Sequence, residues 1–328
     1  MFWDKYPEFA NELNNFEKYF QDQLSSSNRL ISDEIKRLAQ AGGKRVRPAL
    51  VLAVSHLGDY NKDRVWPMAA AMEMIHLATL IHDDVIDKSS LRRGVKTTHY
   101  HYSNKTAIFM GDYLFALAIE IIISEFGNEN IDNALLRQIK NTIKSIKLLC
   151  EGEVSQFERQ FTKIPSFKEY LEAIKRKTAL LFKSSTLLGA DLSNMNKYQV
   201  YKMGKLGYYM GMSFQLVDDL FDFQEENEKL GKPQKNDFTQ GIYTLPIIYV
   251  YNEGDKVLKD KLDKYLKKPE KYSEEIKKLV HDNGGIKYTE KLAYRYKEKS
   301  QKIIESYKDN YYGEIIYWLT EKIIGRRF

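Results

Sequence analysis

Residues 69–87 read AAAMEMIHLATLIHDDVID, an apolar run that closes on three aspartates, Asp83, Asp84 and Asp87. A segment otherwise suited to burial ends on carboxylates that repel one another and are costly to desolvate. On a helix, positions i and i+4 share a face, so Asp83 and Asp87 project side by side with Asp84 one step round. The pattern returns 135 residues later in FQLVDDLFDF, residues 214–223, as Asp218, Asp219 and Asp222. A lone DDxxD reads more readily as a solvated helix end than as a site. The second copy, however, lies inside MGMSFQLVDDLFDF, residues 210–223, a run too apolar for a surface face. Two copies in such settings point to a metal site. Oxygen-only clusters without His or Cys suit hard divalent cations, Mg2+ above all, which takes one or two carboxylates and completes its shell with phosphate oxygens. Two facing clusters would clamp a polyphosphate.

Outward from these runs, the chain of 328 residues is 43% hydrophobic and 29% charged, enough for a large core and a solvated surface. The net charge of +6 is a mild basic bias that favours anionic substrates or an anionic membrane surface. No compact basic stripe interleaved with aromatics is visible, so nucleic acid is not an expected partner. Cys150 is the only cysteine, which excludes a disulfide framework or a CxxC zinc site and suits a reducing cytoplasm. The N-terminal MFWDKYPEF lacks the layout of a secretory signal. The most apolar run, AIFMGDYLFALAIEIII, is interrupted by Asp112 and Glu120 and reads as a core helix.

Proline and glycine are sparse, 7 and 18 residues. Apolar residues recur at three- and four-residue spacing, as in Phe9, Leu13, Phe16 and Phe20, or Leu136, Ile139, Ile143, Ile146 and Leu149. The chain therefore reads as all-α, with helices near 5–23, 28–40, 47–57, 64–87, 104–127, 131–161, 167–190, 196–227, 240–252, 255–266, 272–282, 286–308 and 311–324. Turn chemistry is dense at 41–48, 56–63, 88–94, 163–166 and 229–237, and none of these is long enough to be an interdomain linker. One domain over 1–328 is expected, with lysine-rich helices from about 253 onward forming a peripheral layer.

Other residues fit an anion-handling site. Gly42-Gly43-Lys44-Arg45-Val46-Arg47-Pro48 puts pliable backbone and three cations just before a helix, and Arg92, Arg93 and Gly94 follow the first triad. Arginine grips phosphate through a bidentate fork. His76 lies two helical turns before Asp83; by spacing alone, core packing and ligand contact both remain open. Met72, Met74, Leu77, Leu80 and Ile81 are most simply core.

Taken together, the pieces resemble the trans-isoprenyl (polyprenyl) diphosphate synthases. They stand in family order: GGKRVRP (42–48), IHLATLIHDDVIDKSSLRRG (75–94), GDYLFA (111–116), KRKTALLF (175–182), GYYMGMSFQLVDDLFDF (207–223) and GKPQKNDFTQGIYTLP (231–246). The resemblance implies the isoprenoid synthase fold, a bundle of about a dozen helices around a central cavity. It implies that Asp83, Asp84, Asp87, Asp218, Asp219 and Asp222 bind three Mg2+ ions, which hold an allylic diphosphate with help from Arg92, Lys177 and Thr178. It implies that Lys44, Arg47, His76 and Arg93 hold isopentenyl diphosphate without metal, and that Phe214 and Gln215 line the reaction centre. A dimer through core helices is also implied, with the helix around 104–123 as candidate interface.

In this family the residues four and five positions before the first aspartate floor the product pocket. Here they are Thr79 and Ala78, both small, as in medium- and long-chain enzymes that make quinone side chains. Three positions depart from the family pattern: Lys96 stands for a proline, Lys235 for a glycine, and Ile242 for a lysine that helps with the allylic diphosphate, leaving Lys235 as the candidate to compensate. The final IGRRF resembles the catalytic component of two-component heptaprenyl diphosphate synthases, which implies either a homodimer or a heterodimer with a small regulatory subunit. A lipophilic product makes transient membrane contact an expectation. Two other readings cover part of the pattern. A class I terpene cyclase shares the helical fold but usually lacks GGKRxRP and carries a different second metal motif. A non-catalytic subunit of a heteromeric synthase typically loses aspartates that are intact here.

Overall fold

The computed structural model describes residues 2–124, 133–223 and 236–325. Among these the chain is all-α apart from one two-stranded hairpin. In chain order the first helices are α1 (Pro7–Gln23), α2 (Arg29–Gln40), α3 (Val46–Ser55) and α4 (Lys62–Ile86). Strands β1 (Leu91–Arg92) and β2 (Val95–Lys96) follow, then α5 (Thr98–His101), α6 (Asn104–Ser124), α7 (Asn133–Arg159) and α8 (Phe167–Ile174). A π turn, Lys175–Ala179, leads into α9 (Leu180–Leu192) and α10 (Lys197–Phe221). A 3-10 turn at Asp237–Gln240 precedes α11 (Leu245–Glu253), α12 (Lys256–Leu266), α13 (Ser273–Asp282), α14 (Gly285–Ile304) and α15 (Tyr311–Ile324).

The Cα positions group into two compact units, Met1–Ile139 with Ser185–Val200, and Lys140–Ser184 with Tyr201–Phe328. In the first unit, α4 packs most extensively on α6 and next on α3. Asn61 caps α4 by accepting from the Asp63 N–H at 3.0 Å. From Val65 to Ile75 every residue of α4 is buried, and so is α3 from Pro48 to Ser55. A helix apolar on all sides belongs in a core, and each fully buried Leu or Val contributes about 1.5–3 kcal/mol. The α1 stripe Phe9, Leu13, Phe16 and Phe20 is buried as its spacing requires.

Three expectations need correction. The α6 run is not a fully buried core helix: only 33% of its most apolar window is buried, although it is long and apolar enough to cross a membrane by length and composition. One stripe, including Ala107, Met110, Gly111, Leu114 and Ala118, turns inward, while Ile108, Phe109 and Ile123 are exposed. The segment 167–190 is not one regular helix but is interrupted by the π turn. The helix expected at 240–252 starts only at Leu245, because Gly241 sits at φ 76° and closes the 3-10 turn instead.

In the second unit, Phe238, Ile247, Val250, Leu262, Ile276 and Val280 form a closed apolar cluster. Helix α8 begins with a complete capping box, Ser166 with Glu169. Helix α10 is tied to α14 by the Ser213 hydroxyl, which donates to the Ala293 carbonyl at 3.0 Å.

Candidate active site

Both aspartate triads straddle a helix C-terminus. Helix α4 ends at Ile86 with Asp87 as its cap, and α10 ends at Phe221 with Asp222 next. Carboxylates in the last turn sit against the negative end of the helix dipole, which disfavours their charge. Burial adds to this. Asp84 and Asp219 are both buried, at 4% exposure each, whereas Asp87 and Asp218 are exposed.

In the first unit, Arg92 Nε donates to Asp84 Oδ1 at 2.8 Å, yet burial still holds the Asp84 carboxyl above its ordinary range. Arg92 ends β1, and Arg93-Gly94 forms the two-residue turn to β2 with φ of 50° and 82°. Such a turn favours Asn-Gly or Gly-Gly; an arginine held at positive φ carries strain of the kind stored at functional sites. The Arg93 guanidinium reaches the Gly42 carbonyl and lies where a Cβ on Gly43 would stand, so GG makes room for it.

The GGKRVRP loop is held from inside by Arg45. This residue caps α3 at φ 47°, takes Glu17 bidentately at 2.7 and 2.8 Å, and reaches Glu73 at 2.8 Å and the Ala39 carbonyl at 2.7 Å. Sequence reasoning missed this anchor, because its partners lie 28 residues away on either side. Lys44 is exposed, with its ammonium 4.8 Å from the Phe2 ring. Arg47 is pushed down to about 10 by burial, partly offset by Glu73, so it stays charged at neutral pH. Burial, then Arg47, Arg93, Arg92 and Arg45, hold His76 well below the usual imidazole range. Arg45, Arg47, Arg92, Arg93 and His76 thus belong to one basic neighbourhood in which His76 is a neutral imidazole, able to donate one N–H, while the Lys44 ammonium lies against the Phe2 ring. Ala78 is fully buried, and the Thr79 hydroxyl donates back to the His76 carbonyl at 2.7 Å.

In the second unit, a hydrogen-bond chain runs from the π turn to Asp219. The Thr178 hydroxyl donates to Gln215 Oε1, Gln215 Nε2 donates to Asp219 Oδ1 at 2.8 Å, and the Tyr170 hydroxyl donates to Asp219 Oδ2 at 2.5 Å. Tyr170 was not legible as a site residue. Despite its two donors, burial pushes the Asp219 carboxyl up to about 7, with Asp237 and Asp218 adding to the rise. Asp222 is raised by burial and then by Asp237, although the Asp237 N–H donates to it at 2.7 Å. Lys177 lies 3.3 Å from Glu153, and the Phe214 ring packs 5.4 Å from Phe182. Lys235 lies outside the described residues.

Among the described residues, no three His, Cys, Asp or Glu side chains converge closely enough to enclose a metal ion. The fit is of another kind: carboxylates raised by burial and by one another at a helix end are stabilised by an added divalent cation. Magnesium needs only one or two of them when phosphate oxygens complete its shell.

Comparison with known proteins places the pattern. The polyprenyl synthetase family model matches residues 28–283. The chain belongs to that family. This polyprenyl synthetase is similar to heptaprenyl diphosphate synthase component 2 of Geobacillus stearothermophilus, at 38% identity over 76% of this chain and 75% of that protein. The heptaprenyl diphosphate synthase of Staphylococcus aureus superposes with a TM-score of 0.88 at 33% identity, covering 98% of this chain and 99% of that one. A polyprenyl synthase from Caulobacter crescentus, solved in complex with calcium and isoprenyl diphosphate, superposes at 0.86 with 27% identity over 100% of this chain and 97% of that one. The synthetase therefore has the all-α isoprenoid synthase fold and is an enzyme, a prenyltransferase.

Proposed function

We propose that this synthetase condenses isopentenyl diphosphate with an allylic diphosphate, farnesyl or geranyl, to a medium- or long-chain trans-polyprenyl diphosphate used as a quinone side chain, in a Mg2+-dependent reaction. The observation that carries the reading is that each unit carries an aspartate triad at a helix end, and the first unit adds a basic neighbourhood around His76. Carboxylates raised by burial suit a metal-held diphosphate, whereas Lys44, Arg47, neutral His76 and Arg93 suit a second diphosphate without metal. Two anion sites serve a condensation; a cyclase acting on one diphosphate needs only the first.

Asp83, Asp84, Asp87, Asp218, Asp219 and Asp222 would hold the cations, three in number, and Mg2+ supplies charge to the departing pyrophosphate. Arg92, Lys177 and Thr178 bind the allylic diphosphate, so that its C–O bond ionises against fixed positive charge. The basic set orients isopentenyl diphosphate with its double bond toward the allylic carbon. Phe214 and Gln215 line the reaction centre, where an apolar wall protects the carbocation from water. The π bond attacks that carbon, and the resulting cation loses a proton to the released pyrophosphate. Small Ala78 and Thr79 leave room for a growing tail.

The supporting similarity to a component 2 protein suits a small regulatory partner subunit. The alternative is a homodimer through α6, whose exposed Ile108, Phe109 and Ile123 offer apolar surface. A cytoplasmic location with transient membrane contact belongs to the same proposal and suits the exposed free thiol of Cys150. The test is elongation by the purified chain with Mg2+, farnesyl diphosphate and labelled isopentenyl diphosphate, with products sized by chromatography. Products of about six or more units, abolished in Asp83→Ala and Asp218→Ala, are expected. Pyrophosphate release from the allylic substrate alone would indicate a cyclase and overturn the reading. A folded chain that binds diphosphate with Mg2+ but makes no product alone would place the missing function in a partner subunit.

A further inference from the structure

The phenol of Tyr170 is a buried polar group with no part in the scheme above. It lies at 4% exposure on α8, directly after the capping box that fixes where this helix begins. Its hydroxyl donates to Asp219 Oδ2 at 2.5 Å, while Gln215 Nε2 takes Asp219 Oδ1 at 2.8 Å. The carboxylate is gripped at both oxygens by donors from two different elements. Each oxygen keeps acceptor capacity, since an ionised carboxylate offers about four lone-pair sites. Gln215 is itself held by the Thr178 hydroxyl.

We propose that Tyr170 is a positioning residue for the metal site: it fixes the orientation of Asp219, and with it the carboxylate geometry offered to the divalent cation. This inference rests on the reading of Asp219 as a metal ligand. The physical argument is that a buried carboxylate held at one oxygen only is free to rotate about its last torsion. A cation with strict octahedral demands binds best to a ligand already oriented. Hydrogen-bond partners behind a metal ligand typically change metal affinity by about 10- to 100-fold when removed.

The experiment uses the full chain and the isosteric Tyr170→Phe. Turnover is titrated with Mg2+, and Mn2+ binding in the presence of inorganic pyrophosphate is measured separately by electron paramagnetic resonance. The expected result is a rise of about 10-fold or more in the metal concentration needed in both assays. The KM for isopentenyl diphosphate should stay unchanged. The same titrations are run on Asp219→Asn and on the double variant. If Tyr170 acts through Asp219, adding Tyr170→Phe to Asp219→Asn changes metal binding little further. Equal, additive effects in both backgrounds would show a general packing role and overturn the inference. A wild-type metal requirement in Tyr170→Phe, with Asp219→Asn impaired, would overturn it and leave the function intact. A wild-type metal requirement in Asp219→Asn would overturn the metal reading and the inference together. Should Tyr170→Phe fold poorly, Gln215→Leu removes the opposite donor and is expected to raise the Mn2+ requirement in the same way; an unchanged requirement there would count against the two-sided grip.

Discussion

Replacing Asp219 by Asn should make the metal-free protein more stable while it destroys activity. The Asp219 carboxyl is pushed up to about 7 from an ordinary value of 3.8, mainly by burial. A raised carboxyl binds its proton more tightly folded than unfolded. Its contribution is therefore fully favourable below about pH 4 and is lost as pH rises toward about 7. Roughly three pH units at 1.36 kcal/mol each give about 4 kcal/mol of penalty at pH 8, of which about 2.5 kcal/mol arises between pH 5 and pH 8. Asn carries no charge to desolvate. It can still accept from Tyr170, but it turns an amide toward the Gln215 amide and so loses about 1 kcal/mol of hydrogen bonding. The stability gap between variant and wild type should thus widen by about 2.5 kcal/mol in favour of the variant from pH 5 to pH 8. Guanidinium unfolding in EDTA at the two pH values, followed by circular dichroism, reads this directly. Adding Mg2+ with pyrophosphate should then restore the wild type by mass action and leave the variant where it was. Parallel pH profiles for the two proteins would refute the argument that burial holds Asp219 up.

Two further substitutions probe other parts of the site. Ala78→Phe places a ring where Ala78 is fully buried at 0% exposure; overpacking should cost about 1–3 kcal/mol, and the folded variant should make a shorter product on chromatography, whereas unchanged length with retained activity would put the floor elsewhere. Gly111→Ala drives a methyl into the His82 ring, which accompanies Asp83 at the end of α4 and touches the Ile108 carbonyl at 3.1 Å. About 1–3 kcal/mol of stability and a disproportionate share of turnover should be lost; a wild-type melting temperature and rate would show that the α4 terminus tolerates displacement.

Much of this was legible because helices write their period into the chain. The spacing of Phe9, Leu13, Phe16 and Phe20 named a buried face, and that face is buried. The triads were legible because carboxylates inside apolar runs have few structural reasons to exist. What escaped was set by contacts across long separations. Arg45 looked like one more cation beside Lys44 and Arg47, and only Glu17 and Glu73 in space turn it inward. Tyr170 gave no signal, since a tyrosine on an amphipathic helix is usually packing, and its partner Asp219 is 49 residues away. The hairpin escaped because two residues per strand are too few for alternation to register. The exposure of α6 escaped because composition cannot distinguish a core face from an open one.

The π turn between α8 and α9 has a consequence for how this site can be altered. In it the Leu180 N–H reaches back five residues to the Lys175 carbonyl instead of four. One surplus residue advances everything before it by about 100° relative to everything after it. Tyr170 belongs to the segment before the surplus residue, Lys177 and Thr178 fall within it, and Phe182 comes after it. No exchange of one side chain for another can reproduce that offset. Deleting a single residue between 175 and 179 should yield a more regular helix and turn Tyr170 out of phase with Thr178 and Phe182. At this point the placement of side chains is encoded in how many residues there are, not in which ones.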